Sequence, residues 1–170
     1  MSKFNISVTG HRPNKLWGYD YNHPMWELLK ERLKQLIIHA ATNHSIVNAV
    51  SGMALGVDTI FAQAAIEARE LHPHVRFIAA VPCKDQECMW PSTSQRLYHS
   101  LLKRADKVVM VSEQRYHNGC MQKRNKFMVD HSNMVIAVWN GSRSGGTAHC
   151  VNYAKEKAVP THIIHPKEVN

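Results

Sequence analysis

Apolar positions recur along this chain with two different periods. Short runs rich in β-branched and aromatic residues occupy 4–8, 46–50, 75–81, 107–111, 134–139 and 161–164. Longer stretches between them carry apolar residues at helical spacing, over 24–42, 59–71, 92–104, 119–131 and 147–157. In the first of these, Trp26, Leu29, Leu33, Leu36 and Ile37 fall on one face, as a 3.6-residue period requires. Pro24 suits its first turn. Residues 15–23 hold Trp17, Gly18, Tyr19 and Tyr21 without a period, and read as a loop.

Strands of four to seven residues alternating with helices of ten or more follow βαβ grammar. The pattern predicts an α/β fold: a single Rossmann-like domain over 1–170, with a mostly parallel sheet of about six strands and helices on both faces. The unbroken apolar run Val135, Ile136, Ala137, Val138 suits a sheet covered on both sides. Ligands of such sheets bind beyond the carboxyl ends of the strands. Thr9, Gly10, Ser51, Gly52, Pro82, Ser112, Asn140 and Gly141 all fall at those ends and should converge.

Two glycine-rich turns lie there. The first, Ser51-Gly52-Met53-Ala54-Leu55-Gly56-Val57-Asp58, joins a strand to a helix, and the second is Gly145-Gly146-Thr147. Such turns gather free backbone N–H groups at a helix N-terminus, which favours anions. The N–H groups of 52–57 and 145–147 are therefore expected to hold phosphate. Asp58 fits two roles: complementing the helix dipole, or accepting from a ribose hydroxyl. The spacing is not GxGxxG, so a redox dinucleotide site is not indicated. Thr147 can cap its helix or donate to phosphate. The turn Thr9-Gly10-His11-Arg12-Pro13 brings Arg12, whose planar fork suits phosphate or carboxylate, and His11 as a polar contact. Helix 119–131 adds Arg124 and Asn125 towards the same edge, with Asp130 at its far end.

Composition narrows the partners. The chain has 170 residues, 44% hydrophobic and 20% charged, with a formal net charge of +8. This suits one folded domain that favours anionic partners: nucleotides, nucleic acid or an acidic surface. The four cysteines (Cys83, Cys88, Cys120, Cys150) form no CxxC, so no metal site is expected, and nothing calls for a cofactor. His149 and Cys150 are adjacent on a helix and point about 100° apart, which does not suit a base–nucleophile pair. No apolar stretch approaches the roughly 20 residues of a membrane span. No leader pattern precedes the first strand, so a cytoplasmic, reduced protein is expected.

The ordered motifs Thr9-Gly10-x-x-Pro13, Ser51-Gly52-x-x-Leu55-Gly56-Val57, Trp90 through Tyr98 to Ala105-Asp106, Gln122-Lys123-x-Asn125 through Asp130 to Ser132, and Gly146-Thr147-Ala148 resemble the YpsA-like family of the SLOG superfamily. The resemblance runs from about residue 6 to 165. It implies a doubly wound sheet with a pocket for a nucleotide-derived ligand. The superfamily includes cytokinin-activating phosphoribohydrolases, DNA-processing A proteins that bind single-stranded DNA, and sensor domains for ADP-ribose-derived signals. The hydrolases carry an arginine matched here by Arg124, and a glutamate three residues after the Gly-x-Gly-Thr threonine. That position is Cys150 here, and a thiol does not manage a proton as a carboxylate does. Asp58 and Asp130 are the candidate carboxylates to take its place.

Three functions follow. The first is binding of a nucleotide or ADP-ribose-like ligand for sensing, sequestration or regulation. Arg12 and Arg124 would neutralise phosphate while Asp58 and Asn125 read ribose or base. The second is a metal-independent nucleotide N-glycosidase. The third is a single-stranded nucleic-acid binder, with Trp17, Tyr19, Tyr21 and Trp90 available for stacking. A homo-oligomer is expected, with residues 17–21 as a possible contact.

Overall fold

The structure, a computed structural model, describes residues 2–169. The strands are β1 (Lys3–Gly10), β2 (Ile46–Ser51), β3 (Val75–Val81), β4 (Lys107–Met110), β5 (Met134–Val138) and β6 (Thr161–Ile164). The helices are α1 (Pro24–Asn43), α2 (Val57–Leu71), α3 (Ser92–Arg104), α4 (Cys120–Asp130) and α5 (Gly146–Glu156). All strands pair in parallel, in the order β4-β3-β2-β1-β5-β6. The chain winds one way from β1 to β4, then crosses back to lay β5 on the other side of β1. The β1–β5 seam is thus the switch point, where a parallel sheet opens a crevice at its carboxyl edge.

Side-chain alternation splits the core. Ile6 and Val8 of β1 join Val47, Ala49, Phe77 and Ala79 beneath α1, α2 and α3. The stripe of α1 that carries Trp26, Leu29, Leu33 and Ile37 is wholly buried there. Each such side chain contributes about 1.5–3 kcal/mol through removal from water. On the other face Val135 packs with Cys150 and Ala154 of α5, and Val50 and Ala80 pack with Met128 of α4.

Strand and helix limits shift from the sequence pattern at the ligand edge. Thr9 and Gly10, read as a turn, belong to β1, because they pair with Ala137 and Val138 of β5. The first turn of α2 begins at Val57 rather than 59, and α5 begins at Gly146. The expected cover on both faces is incomplete at the β4 edge, where Val108 is 43% exposed. Two short 3-10 turns, Pro13–Lys15 and Pro166–Glu168, complete the described residues. Among those residues, no helix is long and apolar enough to cross a membrane.

Candidate functional site

A cavity of about 130 Å³ opens at the carboxyl end of the β1–β5 seam. Its walls come from four places. The end of β1 and its loop supply Val8, Thr9, Gly10, His11, Arg12 and Lys15. The first glycine-rich turn supplies Ala54 and Asp58. One face of α4 supplies Met121, Arg124, Asn125 and Met128, and the second glycine-rich turn supplies Ser144, Gly145, Gly146 and Thr147.

The α5 turn is open. Gly145 sits at φ 98°, and nothing lies within 4 Å of where a side chain would project from Gly145 or Gly146. The first helical bond of α5 runs from the His149 N–H to the Gly145 carbonyl at 3.0 Å. The N–H groups of Gly146, Thr147 and Ala148 precede it and take no partner among the described residues. They form a positive helix end beside the cavity.

The first glycine-rich turn is built differently from the sequence expectation. Ser51 is fully buried; its hydroxyl donates to the Asp58 carbonyl at 2.7 Å and accepts from the Met53 N–H at 3.1 Å. Asp58 Oδ2 accepts from the Ala54 N–H at 3.1 Å, and the Tyr21 hydroxyl accepts from the Gly56 N–H at 2.8 Å. Three of the N–H groups expected to hold phosphate are therefore engaged within the protein. Ser51, Gly52, Gly56 and Val57 do not line the cavity. Gly52 faces the Arg124 guanidinium, which donates to its carbonyl, and a side chain there would overlap that group. Gly56, at φ 96°, packs so closely on the β1 loop that an added Cβ would stand 2.8 Å from the His11 carbonyl oxygen. The first motif shapes the seat of Arg124 and Asp58, and the second presents the free donors.

Arg124 and Asp58 carry opposite charges on the cavity floor, 5% and 7% exposed. No direct ion pair joins them among the described residues. Arg124 is held by the Gly52 carbonyl and by Asn125 Oδ1, the latter 3.1 Å from Nε. Burial pushes the Asp58 carboxyl above its usual range, with the Arg124 charge and the Ala54 N–H opposing the shift. Asp58 Oδ1 takes no hydrogen bond from the described residues, and Arg124 Nη2 meets only Met121 Sδ at 3.9 Å. Each charge thus keeps unused hydrogen-bonding capacity, while Arg12 and Lys15 stand exposed at the mouth. A mobile anion with hydroxyl groups fits this arrangement: cations and the α5 end for the anion, a carboxylate oxygen for a hydroxyl.

Other predicted residues have local duties. His11 is buried, and its Nε2 accepts from the Asn140 N–H at 3.3 Å. Burial lowers its pKa, so the imidazole is a neutral brace between the β1 and β5 loops. Asn125 accepts from Arg124 and reaches the Gly146 carbonyl at 3.5 Å, tying α4 to the α5 turn. Asp130 lies exposed at the far end of α4, bound by the Tyr153 hydroxyl at 2.8 Å, away from the cavity. The Cys150 thiol is buried and pushed up to about 11, which keeps it protonated and inert. Among the loop aromatics, Trp17 and Tyr21 pack edge-on against Trp26, and Trp90 packs against Tyr98. Tyr19 is 55% exposed. The sequence reading did not single out Lys15, Ala54, Met121, Met128 or Ser144 as site residues. The i, i+3, i+4, i+7 spacing of Met121, Arg124, Asn125 and Met128 was the available clue.

Known proteins resemble this chain in sequence and in fold. The SPbeta prophage-derived protein YoqJ of Bacillus subtilis (strain 168) is 32% identical over 157 residues, covering 85% of this chain and 91% of the relative. The UPF0398 protein BH1768 of Halalkalibacterium halodurans is 24% identical over 153 residues, covering 89% and 80%. Among solved structures, DNA processing protein A from Helicobacter pylori, which binds single-stranded DNA, superposes with a TM-score of 0.62 at 20% identity. The match covers 94% of this chain but 64% of that one. DNA processing protein A from Streptococcus pneumoniae gives a TM-score of 0.63 at 16% identity, covering 95% and 50%. At these identities the shared feature is the fold. The profile of the YspA SLOG family matches residues 6–169, and the chain belongs to that family.

Proposed function

We propose that the β1–β5 cavity binds the ribose-phosphate portion of a nucleotide or ADP-ribose-like ligand without turning it over, in sensing, sequestration or regulation. The observation that carries this reading is the pairing of a bare α5 N-terminus with Arg124, across from the free Oδ1 of Asp58. Phosphate sits at the N–H groups of Gly146, Thr147 and Ala148 and takes charge from Arg124 and Arg12. A ribose hydroxyl donates to Asp58. At about 130 Å³ the cavity is smaller than the roughly 300–1,000 Å³ of most ligand clefts. The base or second half of the ligand therefore extends past Lys15 and Ser144 to the mouth. The free cysteines fit a reducing, cytoplasmic setting.

A second reading places the same phosphate in single-stranded nucleic acid, supported by the +8 charge and the likeness to DNA processing protein A. An N-glycosidase reading needs Asp58 to act at the anomeric carbon.

Thermal shift against mononucleotides, ADP-ribose and cyclic isomers tests the proposal, with each incubation then run on liquid chromatography. A ligand at about 100 times its Kd adds roughly 2.7 kcal/mol, or about 5–10 °C for a chain of this size. A shift with intact ligand is expected. Free base in the eluate would replace binding with hydrolysis, and no shift with any compound would overturn the small-ligand reading.

A further inference from the structure

A second concave surface lies on the sheet itself, apart from the carboxyl-edge cavity. On the face that carries α4 and α5, β3 and β4 are only partly covered, and a pocket of about 540 Å³ forms there beside β2. Asn5, Asn48 and Arg76 stand in register across β1, β2 and β3, and Lys107 stands beside Ile78 in the next row. The floor is apolar (Val50, Ile78, Val109), and Phe127 with His131 forms one wall. Those two rings lie 4.4 Å apart and tilted by 35°.

Three properties describe what fits. First, the rim is cationic. Lys3, Arg76 and Lys107 are exposed, and none pairs with a carboxylate among the described residues. The acid on the rim, Asp106, is held by Arg69 and by the Phe77 N–H. Second, the sheet holds an acceptor without a donor. Asn5 Nδ2 donates to the His131 carbonyl at 2.7 Å, which turns Asn5 Oδ1 towards Asn48 Nδ2 at 2.9 Å. That chain fixes the Asn48 amide and leaves its Oδ1 unpartnered, in a residue only 8% exposed. Third, an aromatic ring and an apolar floor lie between the cations.

A second copy of this chain does not suit this face. A two-fold contact would set Lys3, Arg76 and Lys107 against themselves with no free carboxylate to answer them. A duplex hides its base faces inside the stack. We propose that this face binds single-stranded nucleic acid: a base lies against Phe127 over the Ile78–Val109 floor, and flanking phosphates meet Lys3, Arg76 and Lys107. The three cations span about 14 Å of sheet, three strand spacings of ~4.8 Å, and Lys123 and Lys126 extend the positive surface along α4. The proposal does not rest on the identity of the cavity's ligand.

Fluorescence anisotropy with the full chain and a labelled single strand of about 12 nucleotides tests it. The combined Lys3→Glu, Arg76→Glu, Lys107→Glu variant should weaken binding at least tenfold and lower the log–log salt slope by about 2, for three lost phosphate contacts. Phe127→Ala should weaken binding about tenfold, and Arg76→Lys should retain it. The triple variant should keep any nucleotide-induced thermal shift, which shows a folded chain with its cavity intact. If the triple variant does not fold, Lys107→Glu alone reads the same effect in the same direction. The proposal is overturned if the wild type binds no strand or if the charge reversals leave affinity and slope unchanged. It also fails if poly-glutamate competes as well as the strand, or if the triple variant converts a dimer to a monomer in sedimentation. Loss of strand binding on Arg12→Glu, with the three reversals on the sheet face silent, would place the strand in the cavity and would equally overturn the proposal.

Discussion

Replacing Gly52 by alanine tests how the cavity floor is built. The new methyl would overlap the Arg124 guanidinium, which is buried and donates to the Gly52 carbonyl. Forcing extra volume into a packed site costs about 1–3 kcal/mol. Loosening a hydrogen bond from a charged donor adds a further cost of about 1.5–3 kcal/mol when that bond is lost outright. Gly52→Ala should therefore destabilise by about 2–4 kcal/mol, read from urea unfolding as a lower midpoint with an unchanged m-value. The informative step is the double-mutant cycle. In an Arg124→Ala background the obstacle is gone, and the same Gly52→Ala change should cost less than about 0.5 kcal/mol, a coupling of roughly 1.5 kcal/mol or more. If the two changes add within about 0.5 kcal/mol, Gly52 is not there to seat Arg124, and this account of the first glycine-rich turn is wrong.

Three further outcomes follow from the same geometry. Tyr21→Phe removes the acceptor for the Gly56 N–H and should cost about 1–3 kcal/mol in the same unfolding assay; an unchanged midpoint would detach Tyr21 from the turn. Burial holds the His11 imidazole below its ordinary 6.5, so the unfolded chain takes up that proton first as pH falls. The His11 contribution is thus fully present above about pH 6.5 and is lost progressively as pH falls below it, and His11→Gln should flatten stability against pH on the acid side of about 6.5; an identical slope would refute this. Of the four cysteines, Cys88 is exposed, while burial pushes Cys83 and Cys150 up to about 11 and Cys120 is also buried. An aromatic disulfide reagent should label one thiol per folded chain promptly and the rest only on unfolding; prompt labelling of more would contradict the burial.

Much of this was legible in the sequence. Short β-rich apolar runs located every strand and 3.6-residue patterning every α-helix, because each element buries apolar residues against its neighbours. The limits of β3, α3 and β6 came through unchanged, since turn residues bound them tightly. The carboxyl-edge cluster was also legible, because Thr9, Gly10, Arg124 and Gly146 sit where parallel strands end. What escaped was long-range pairing. Nothing near Gly52 announces that Arg124, 72 positions away, will fill the space beside it. Likewise, the N–H groups of the first turn looked free until Tyr21, 35 positions before Gly56, accepted one of them. Asp130 looked like a candidate carboxylate by type alone, whereas three turns of helix carry it to the far end of α4 and to Tyr153. The open part of the sheet was hidden for a related reason: β4 is an edge strand, and its apolar run does not announce that Val109, on the α4 face, lies only partly covered.

The central claim is that phosphate lies at the α5 end of the β1–β5 cavity. Titrating isotope-labelled protein with AMP and ADP-ribose while following backbone amide resonances tests it most directly. Saturable shifts should be largest at Gly146, Thr147 and Ala148, with Met53 and Gly56 moving little because their N–H groups already have partners. Shifts centred on the first glycine-rich turn, or on neither turn, would contradict the account.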